Sequence, residues 1–312
     1  MSDLAVCVNA ILPLFIIMGL GYIARCTGVM KREDVPRINK AAFRFFLPVL
    51  LFYNVYTSDI SAAVQPKLLA FAAVCVLVLY ALSLGYVMLT EKCNKKRGVM
   101  IQGLYRSNFV IMGIPLAAQL VKGADLGSVV MLVSVVIPAY NILAVVTLEL
   151  FGDERPTVGR MLLDILKNPL IIGIAAGILT LLLGIKLPAA IESAAEQIGH
   201  AASPLMLFLL GAFFEFKGLG KYKRELATVC IGRLIVVPAI FLTLAVLFGI
   251  RGVELAAMIA IFGSPTAISS FTMVQQMGGD DVLAGDIVVL TNALSCFTMF
   301  GWAFALKSLG MF

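Results

Sequence analysis

The sequence predicts an all-α membrane protein with ten transmembrane helices, arranged as two inverted five-helix repeats with broken, crossing helices 4 and 9. Three observations lead there. Hydrophobic residues make up 61% of the 312-residue chain and charged residues 13%, against roughly 45–50% and 25% in ordinary globular proteins. The apolar residues gather in long uncharged runs. The second half of the chain also echoes the first.

A soluble fold of this length needs more polar surface than these side chains supply. The uncharged runs are 4–24, 45–58, 68–90, 107–121, 126–148, 168–185, 197–214, 234–250, 255–279 and 287–306, here spans 1 to 10. A helix crosses a bilayer with about 20 apolar residues, within a range of roughly 17–25. Spans 1, 3, 5, 6, 8, 9 and 10 meet that unaided. Span 7 meets it by length, although it carries His200, Ser203 and Pro204. Spans 2 and 4 are short and extend at their N-terminal ends. Barrel strands alternate polar and apolar residues; these runs are apolar all round, which argues against a β-barrel.

Lysine and arginine set the topology. Of 24 such residues, eighteen fall in or beside connections 1–2, 3–4, 5–6 and 7–8, among them Lys31, Lys95, Arg155 and Lys217. On the other side are Lys67, Lys122, Lys186, Arg251 and Lys307, while Arg233 lies within span 8. The positive-inside rule places the basic connections in the cytoplasm and both termini outside. The net charge of +6 reports this asymmetry and does not indicate nucleic-acid binding. Met1 to Asp3 lack a basic stretch, so span 1 is read as retained, not as a cleaved signal. Six scattered cysteines (Cys7, Cys26, Cys75, Cys93, Cys230 and Cys296) have neither metal-type nor redox spacing.

Shifting the chain by 156 residues places Pro13-Leu14 of span 1 on Pro169-Leu170 of span 6, Pro48 on Pro204, and Asp59 on Glu215. An offset of 150–151 pairs Pro115 with Pro265 and Asn141 with Asn292. The order of these matches, which fall in four of the five pairs of corresponding spans, divides the chain into repeats 1–151 and 169–312, with 152–168 as a cytoplasmic linker. Five helices per repeat force the halves into opposite orientation. Inverted repeats of this kind typify secondary transporters, whose substrate sits where discontinuous helices meet near the midplane.

Spans 4 and 9 each carry glycine and proline close together: Gly113 and Pro115 in one, Gly263 and Pro265 in the other. Proline removes a backbone donor and glycine relaxes the backbone, so both spans are expected to unwind there. A half-helix that begins inside the membrane presents unpaired N–H groups and the positive end of its dipole. Two such ends facing each other form an anion site. The facing C-terminal carbonyls offer a cation site instead, and both can operate together. Hydrogen bonds at the site are expected from Asn108, Ser264, Thr266, Ser269, Ser270, Thr291, Asn292 and Ser295, with Asn54 and Asn141 as weaker additions. For any one of these, helix–helix packing is the alternative role. Arg106 either snorkels to the cytoplasmic surface or lines the cavity. For His200, a packing or surface role is expected. Glu149, Glu215 and Asp286 all lie near span ends, leaving no mid-span carboxylate for a proton antiporter.

The stretch RSNFVIMGIPL at 106–116, together with Ser264-Pro265-Thr266-Ala267, resembles the auxin efflux carrier family, whose bacterial members include malonate and other organic-acid permeases. The resemblance covers essentially the whole chain. It implies a fold similar to bile-acid sodium symporters, a bacterial inner-membrane location, a homodimer, and a substrate site at Asn108, Pro115 and Pro265. The long cytoplasmic loop of plant carriers is missing, and no counterpart of the symporters' sodium-binding glutamate is found.

The function expected is therefore alternating-access transport of a small organic anion, a mono- or dicarboxylate. Its site comprises Arg106, Asn108, Gly113, Pro115, Ser264, Pro265, Thr266, Ser269 and Asn292. No cofactor, metal or enzymatic constellation is expected, and the coupling ion, sodium or proton, stays open. A cation/proton antiporter on a related fold is the runner-up.

Overall fold

The computed structural model describes residues 3–57, 66–121, 127–152, 158–215 and 220–311. Asp59, Lys122, Arg155 and Lys217, used above for the repeat and the topology, lie outside the described residues. All regular structure among them is helical: α1 (Asp3–Cys26), α2 (Val35–Ala41), α3 (Leu47–Tyr56), α4 (Pro66–Thr90), α5 (Asn94–Tyr105), α6 (Ile114–Leu120), α7 (Gly127–Leu150) and α8 (Val158–Lys167), then α9 (Pro169–Leu182), α10 (Ala189–Phe213), α11 (Lys223–Ile231), α12 (Val237–Leu247), α13 (Gly252–Met258), α14 (Ser269–Gln276) and α15 (Asp281–Ser308). Every one of the ten spans falls on a helix or on a run of short helices. Among the described residues, three helices suffice by length and apolarity alone to cross a membrane: Pro66–Thr90, Lys223–Leu247 and Asp281–Ser308. Their outer faces present large apolar side chains such as Val74, Leu77, Leu82 and Leu89 of α4, a surface suited to lipid rather than water.

Spans 2 and 4 do extend at their N-terminal ends, to Val35 and Asn94. Charge spacing places the start of span 7 too late, because α10 begins at Ala189 and carries Glu192 and Glu196 in its first turns. Within 152–168, residues Val158–Lys167 form helix α8. Asn168 then caps α9, its side-chain oxygen accepting from the Leu170 N–H at 3.0 Å, with Pro169 in the first turn.

Prolines explain the subdivision of the longer helices. Wide π-helical turns occupy Ala42–Phe46, Phe109–Gly113, Gly232–Val236 and Ile259–Gly263. Each ends two residues before a proline: Pro48, Pro115, Pro238 or Pro265. Proline cannot donate to the carbonyl four residues back and its ring crowds that carbonyl, so the ladder widens ahead of it. Two of the freed acceptors, Leu234 and Ile261, receive side-chain donors. Leu234, four residues before Pro238, accepts from the Trp302 indole at 3.1 Å. Replacing Trp302 with Phe leaves that carbonyl unpaired. The expected loss is about 1–3 kcal/mol, read as a lower unfolding temperature in detergent.

In lipid, burying apolar surface between helices gains little, so close backbone packing must hold them together. Glycine provides it. A Cβ on Gly21 of α1 would land on the Phe208 carbonyl of α10, and one on Gly211 would land on the Met18 carbonyl. A Cβ on Gly173 of α9 would lie 2.5 Å from the Pro48 carbonyl of α3, and one on Gly177 would lie 2.9 Å from the Phe52 carbonyl. The innermost layer is made of the two broken helices: all residues from 98 to 109 and from 255 to 268 are buried.

Connections with matching predicted sides meet at the same end of the molecule. Arg32 pairs with Glu215 at 2.8 Å, Lys96 with Glu225 at 2.6 Å, and the Tyr222 hydroxyl donates to Asp280 at 2.7 Å. At the opposite end, the Gly252 N–H donates to the Met311 carbonyl at 3.0 Å.

Candidate anion site at the helix junction

Both central helices are interrupted, but at unequal places relative to their prolines. Span 9 opens at Ser264, whose extended backbone (φ −71°, ψ 152°) ends the first half, and re-forms at Ser269. Span 4 opens at Arg106-Ser107-Asn108, not at Gly113 and Pro115. Pro115 lies six residues into the second half-helix, which begins at Phe109, and the π turn Phe109–Gly113 accommodates its missing N–H. Gly113 has a different part: a Cβ there would come within 2.6–2.7 Å of Ala260, so glycine lets the two π turns touch.

The two openings pair through their backbones. The Asn108 N–H donates to the Pro265 carbonyl at 2.7 Å, and the Ala267 N–H donates to the Arg106 carbonyl at 3.3 Å. Side chains complete the seam. The Thr266 hydroxyl donates to the Gly103 carbonyl (2.9 Å), and the Ser264 hydroxyl donates to the Ala260 carbonyl (2.6 Å). Asn292 of α15 donates to the Thr266 carbonyl at 3.1 Å and accepts from the Asn108 amide at 3.4 Å. Thr291 accepts from the Thr266 N–H at 3.3 Å. Ser295 donates to the Asn292 carbonyl (2.7 Å), holding the α15 backbone at this level.

The carbonyl ends of the first half-helices are tied up by one side chain, which the sequence places only within span 8. Arg233, fully enclosed at 0% exposure, donates to Ser264 (2.8 Å), Ile261 (2.8 Å), Leu104 (3.3 Å) and Tyr105 (3.4 Å), all backbone carbonyls. Gly232 makes this approach feasible, since a Cβ there would stand 2.5 Å from the Leu104 side chain.

The opposite, N–H ends face a cavity of about 310 Å³. Phe109, Val110 and Ile111 begin the second half of span 4, and Ile268 and Ser269 begin that of span 9; all five line it. Arg106 lines it too, at 2% exposure, so it does not snorkel to the surface. Its guanidinium is held by neutral acceptors: Asn141 (2.6 Å), Ser269 (2.9 Å), the Met273 sulfur (2.9 Å), Gln102 (3.3 Å) and Ser270 (3.3 Å). Among the described residues neither buried guanidinium is paired with a carboxylate. A buried charge without a counter-charge is unfavourable, and a bound anion would supply the missing partner.

A sequence profile describing a membrane transport protein family matches residues 6–158 and 153–303. The chain belongs to that family. It is the auxin efflux carrier family which the 106–116 motif resembles, and the chain is a multi-pass membrane transporter, not an enzyme. An uncharacterized transporter of Methanocaldococcus jannaschii is 23% identical over 307 residues, covering 96% of this chain and 98% of the relative. An uncharacterized transporter of Methanothermobacter thermautotrophicus is 20% identical over 313 residues, covering 96% and 98%. A Rhizobium meliloti protein provisionally named a malonate transporter is 20% identical over 305 residues, covering 96% and 95%.

Within this family member, the structure gathers Arg106, Asn108 and Ser269 onto the cavity wall. Gly113, Pro115, Ser264, Pro265, Thr266 and Asn292 lie outside the lining; apart from Pro115, which lies farther along the second half of span 4, they shape the seam behind it. Asn54, Asn141 and His200, ranked lower from sequence, also line the cavity, as do Ser203 and Tyr140. The His200 ring stands edge-on to Tyr53, 6.4 Å between centroids. Tyr140 received no weight at all, although its hydroxyl accepts from Ser107 at 3.3 Å. Tyrosine within an apolar run gives no signal of its own.

Proposed function

We propose that this chain is a secondary transporter of a small organic anion, a mono- or dicarboxylate, working by alternating access with the anion bound at the helix junction. The observation that carries the reading is the one-sided polarity of the junction. The acceptor ends of the broken helices are occupied from within the protein, whereas the donor ends, together with Arg106, face an open cavity. Helix N-termini and a guanidinium that has no acidic partner among the described residues select for negative charge. The relative named for malonate transport fits a carboxylate.

Two glycine contacts support the inverted five-plus-five repeat behind such a cycle. Gly21 lies against the carbonyl of Phe208, and Gly177 against that of Phe52. Adding 156 to 21 gives 177, and adding it to 52 gives 208, so the two contacts are exchanged by the same shift that aligns the prolines. The π turns Phe109–Gly113 and Ile259–Gly263 differ by 150. On this reading ten helices cross the membrane with both termini outside. Arg106, Asn108 and Ser269 contact the anion, while Gly113, Ser264, Pro265, Thr266 and Asn292 hold the junction open and Pro115 shapes the half-helix that follows it.

The test is carboxylate uptake into proteoliposomes by the wild type and by Asn108→Ala. Losing one hydrogen bond to a charged ligand, about 1.5–3 kcal/mol, should weaken uptake at sub-saturating substrate by about 10- to 150-fold with the unfolding temperature little changed. Unaltered flux removes Asn108 from the site. Asn292→Ala should have a smaller effect, because Asn292 reaches the anion only through Asn108 and the Thr266 carbonyl; a drop matching that of Asn108→Ala contradicts this order.

A further inference from the structure

Two of the four carbonyls that Arg233 holds are free because of how the helices break. In a continuous helix the Leu104 carbonyl would accept from the Asn108 N–H, but that N–H is bonded to Pro265. The Ile261 carbonyl faces Pro265 four residues on, which has no N–H to give. With Tyr105 and Ser264, these acceptors form the negative ends of two helix dipoles, converging from different helices. Four converging backbone oxygens in a buried pocket are what a hard cation coordinates. Here a guanidinium fills the place: planar, permanently charged, and with five N–H donors of which four bonds are accounted for.

We propose that Arg233 is the resident cation of the junction. It binds the carbonyl ends of both half-helices, joins them into one unit, and fixes a positive charge behind the anion cavity, so that no metal cation is needed at that place. Arg233 does not line the cavity, so it acts on the anion through the backbone it holds and is a positioning residue. The inference deepens the transport reading and rests on it for the anion-binding arm alone. It also counts against a cation antiporter, since the carbonyls such a cation would use are taken.

Removing the side chain should turn the pocket into a cation site that can be filled from outside. Purified Arg233→Ala is followed by thermal unfolding in choline, sodium or guanidinium chloride at millimolar concentration, with and without malonate. Free guanidinium should raise its unfolding temperature and restore a malonate affinity that has fallen about tenfold, while the wild type should respond to malonate equally in all three salts. Arg233→Lys keeps the charge but loses the planar fork, so its affinity should fall by only about threefold, with no rescue by guanidinium. Malonate affinity unchanged in Arg233→Ala, no response of that variant to guanidinium, or a wild-type malonate response that requires sodium overturns the assignment. If Arg233→Ala yields no folded protein, the wild-type salt series and Arg233→Lys decide, and a sodium requirement in either overturns it. No malonate response in any salt, alongside guanidinium stabilisation of Arg233→Ala, means instead that the carboxylate reading has failed while Arg233 keeps its role.

Discussion

Arg106→Gln should reduce carboxylate uptake at sub-saturating substrate by at least about 100-fold, since the lost contact is charge-assisted and shielded from water. The wild-type guanidinium is held by five neutral acceptors and, among the described residues, is paired with no acid, so its charge is free to meet that of a ligand. Glutamine preserves polarity and much of the length. It can still reach some of the same partners, including Ser269 and Ser270, so the seam between the half-helices should survive. Stability should change little, because removing an uncompensated buried charge also removes its desolvation cost. Arg106→Lys should recover part of the activity, since it keeps the charge but not the forked geometry. Uptake is measured in proteoliposomes, and folding by size-exclusion and thermal unfolding. Equal uptake by Arg106→Gln and wild type would mean that this guanidinium is structural.

Gly21→Val or Gly211→Val should yield little or no folded protein. Each glycine sits where α1 and α10 touch backbone to backbone, and any Cβ would occupy the position of a carbonyl oxygen on the facing helix. Overpacking a core typically costs about 1–3 kcal/mol when side chains can move aside. Here the obstacle is main chain, so the helices themselves must separate and the cost should exceed that range. Gly19, on the same helix, is the control, because a Cβ added there would meet no neighbouring element within 4 Å. Gly19→Ala should express and unfold like the wild type. Monodisperse Gly21→Val or Gly211→Val protein with a wild-type unfolding temperature would show that the close approach is not needed.

The sequence made the apolar runs legible because charge is too unfavourable in lipid to be scattered, so its spacing marks helix ends. That signal fails where a helix outruns the membrane, as α10 does with Glu192 and Glu196 in its first turns. It fails also for α8, whose mixed composition looks like a linker. The junction was half legible. Ser264-Pro265-Thr266 breaks span 9 as expected, since the break and the proline coincide. In span 4 the proline misleads: Pro115 only widens the ladder into a π turn within the second half-helix, and the opening lies at Arg106-Ser107-Asn108, where the Asn108 N–H turns to the Pro265 carbonyl instead of continuing the helix. Arg233 was the least legible. Its partners Leu104 and Ser264 lie 129 and 31 residues away in sequence, and no local pattern records that four carbonyls converge on it. Weighing each polar residue singly also undervalued His200, Ser203 and Asn54, which meet the site only because α3 and α10 fold against the break.

The central question is whether the cavity at the junction holds an anion. A ligand at about 100 times its Kd stabilises the folded state by about 2.7 kcal/mol, well within reach of thermal unfolding in detergent. Malonate and related short carboxylates should raise the unfolding temperature of the wild type and of Arg251→Gln, whose arginine donates to the Val246 and Ile250 carbonyls away from the cavity. They should do so weakly or not at all for Arg106→Gln and Asn108→Ala. Carboxylate stabilisation that persists undiminished in both cavity variants would contradict the account.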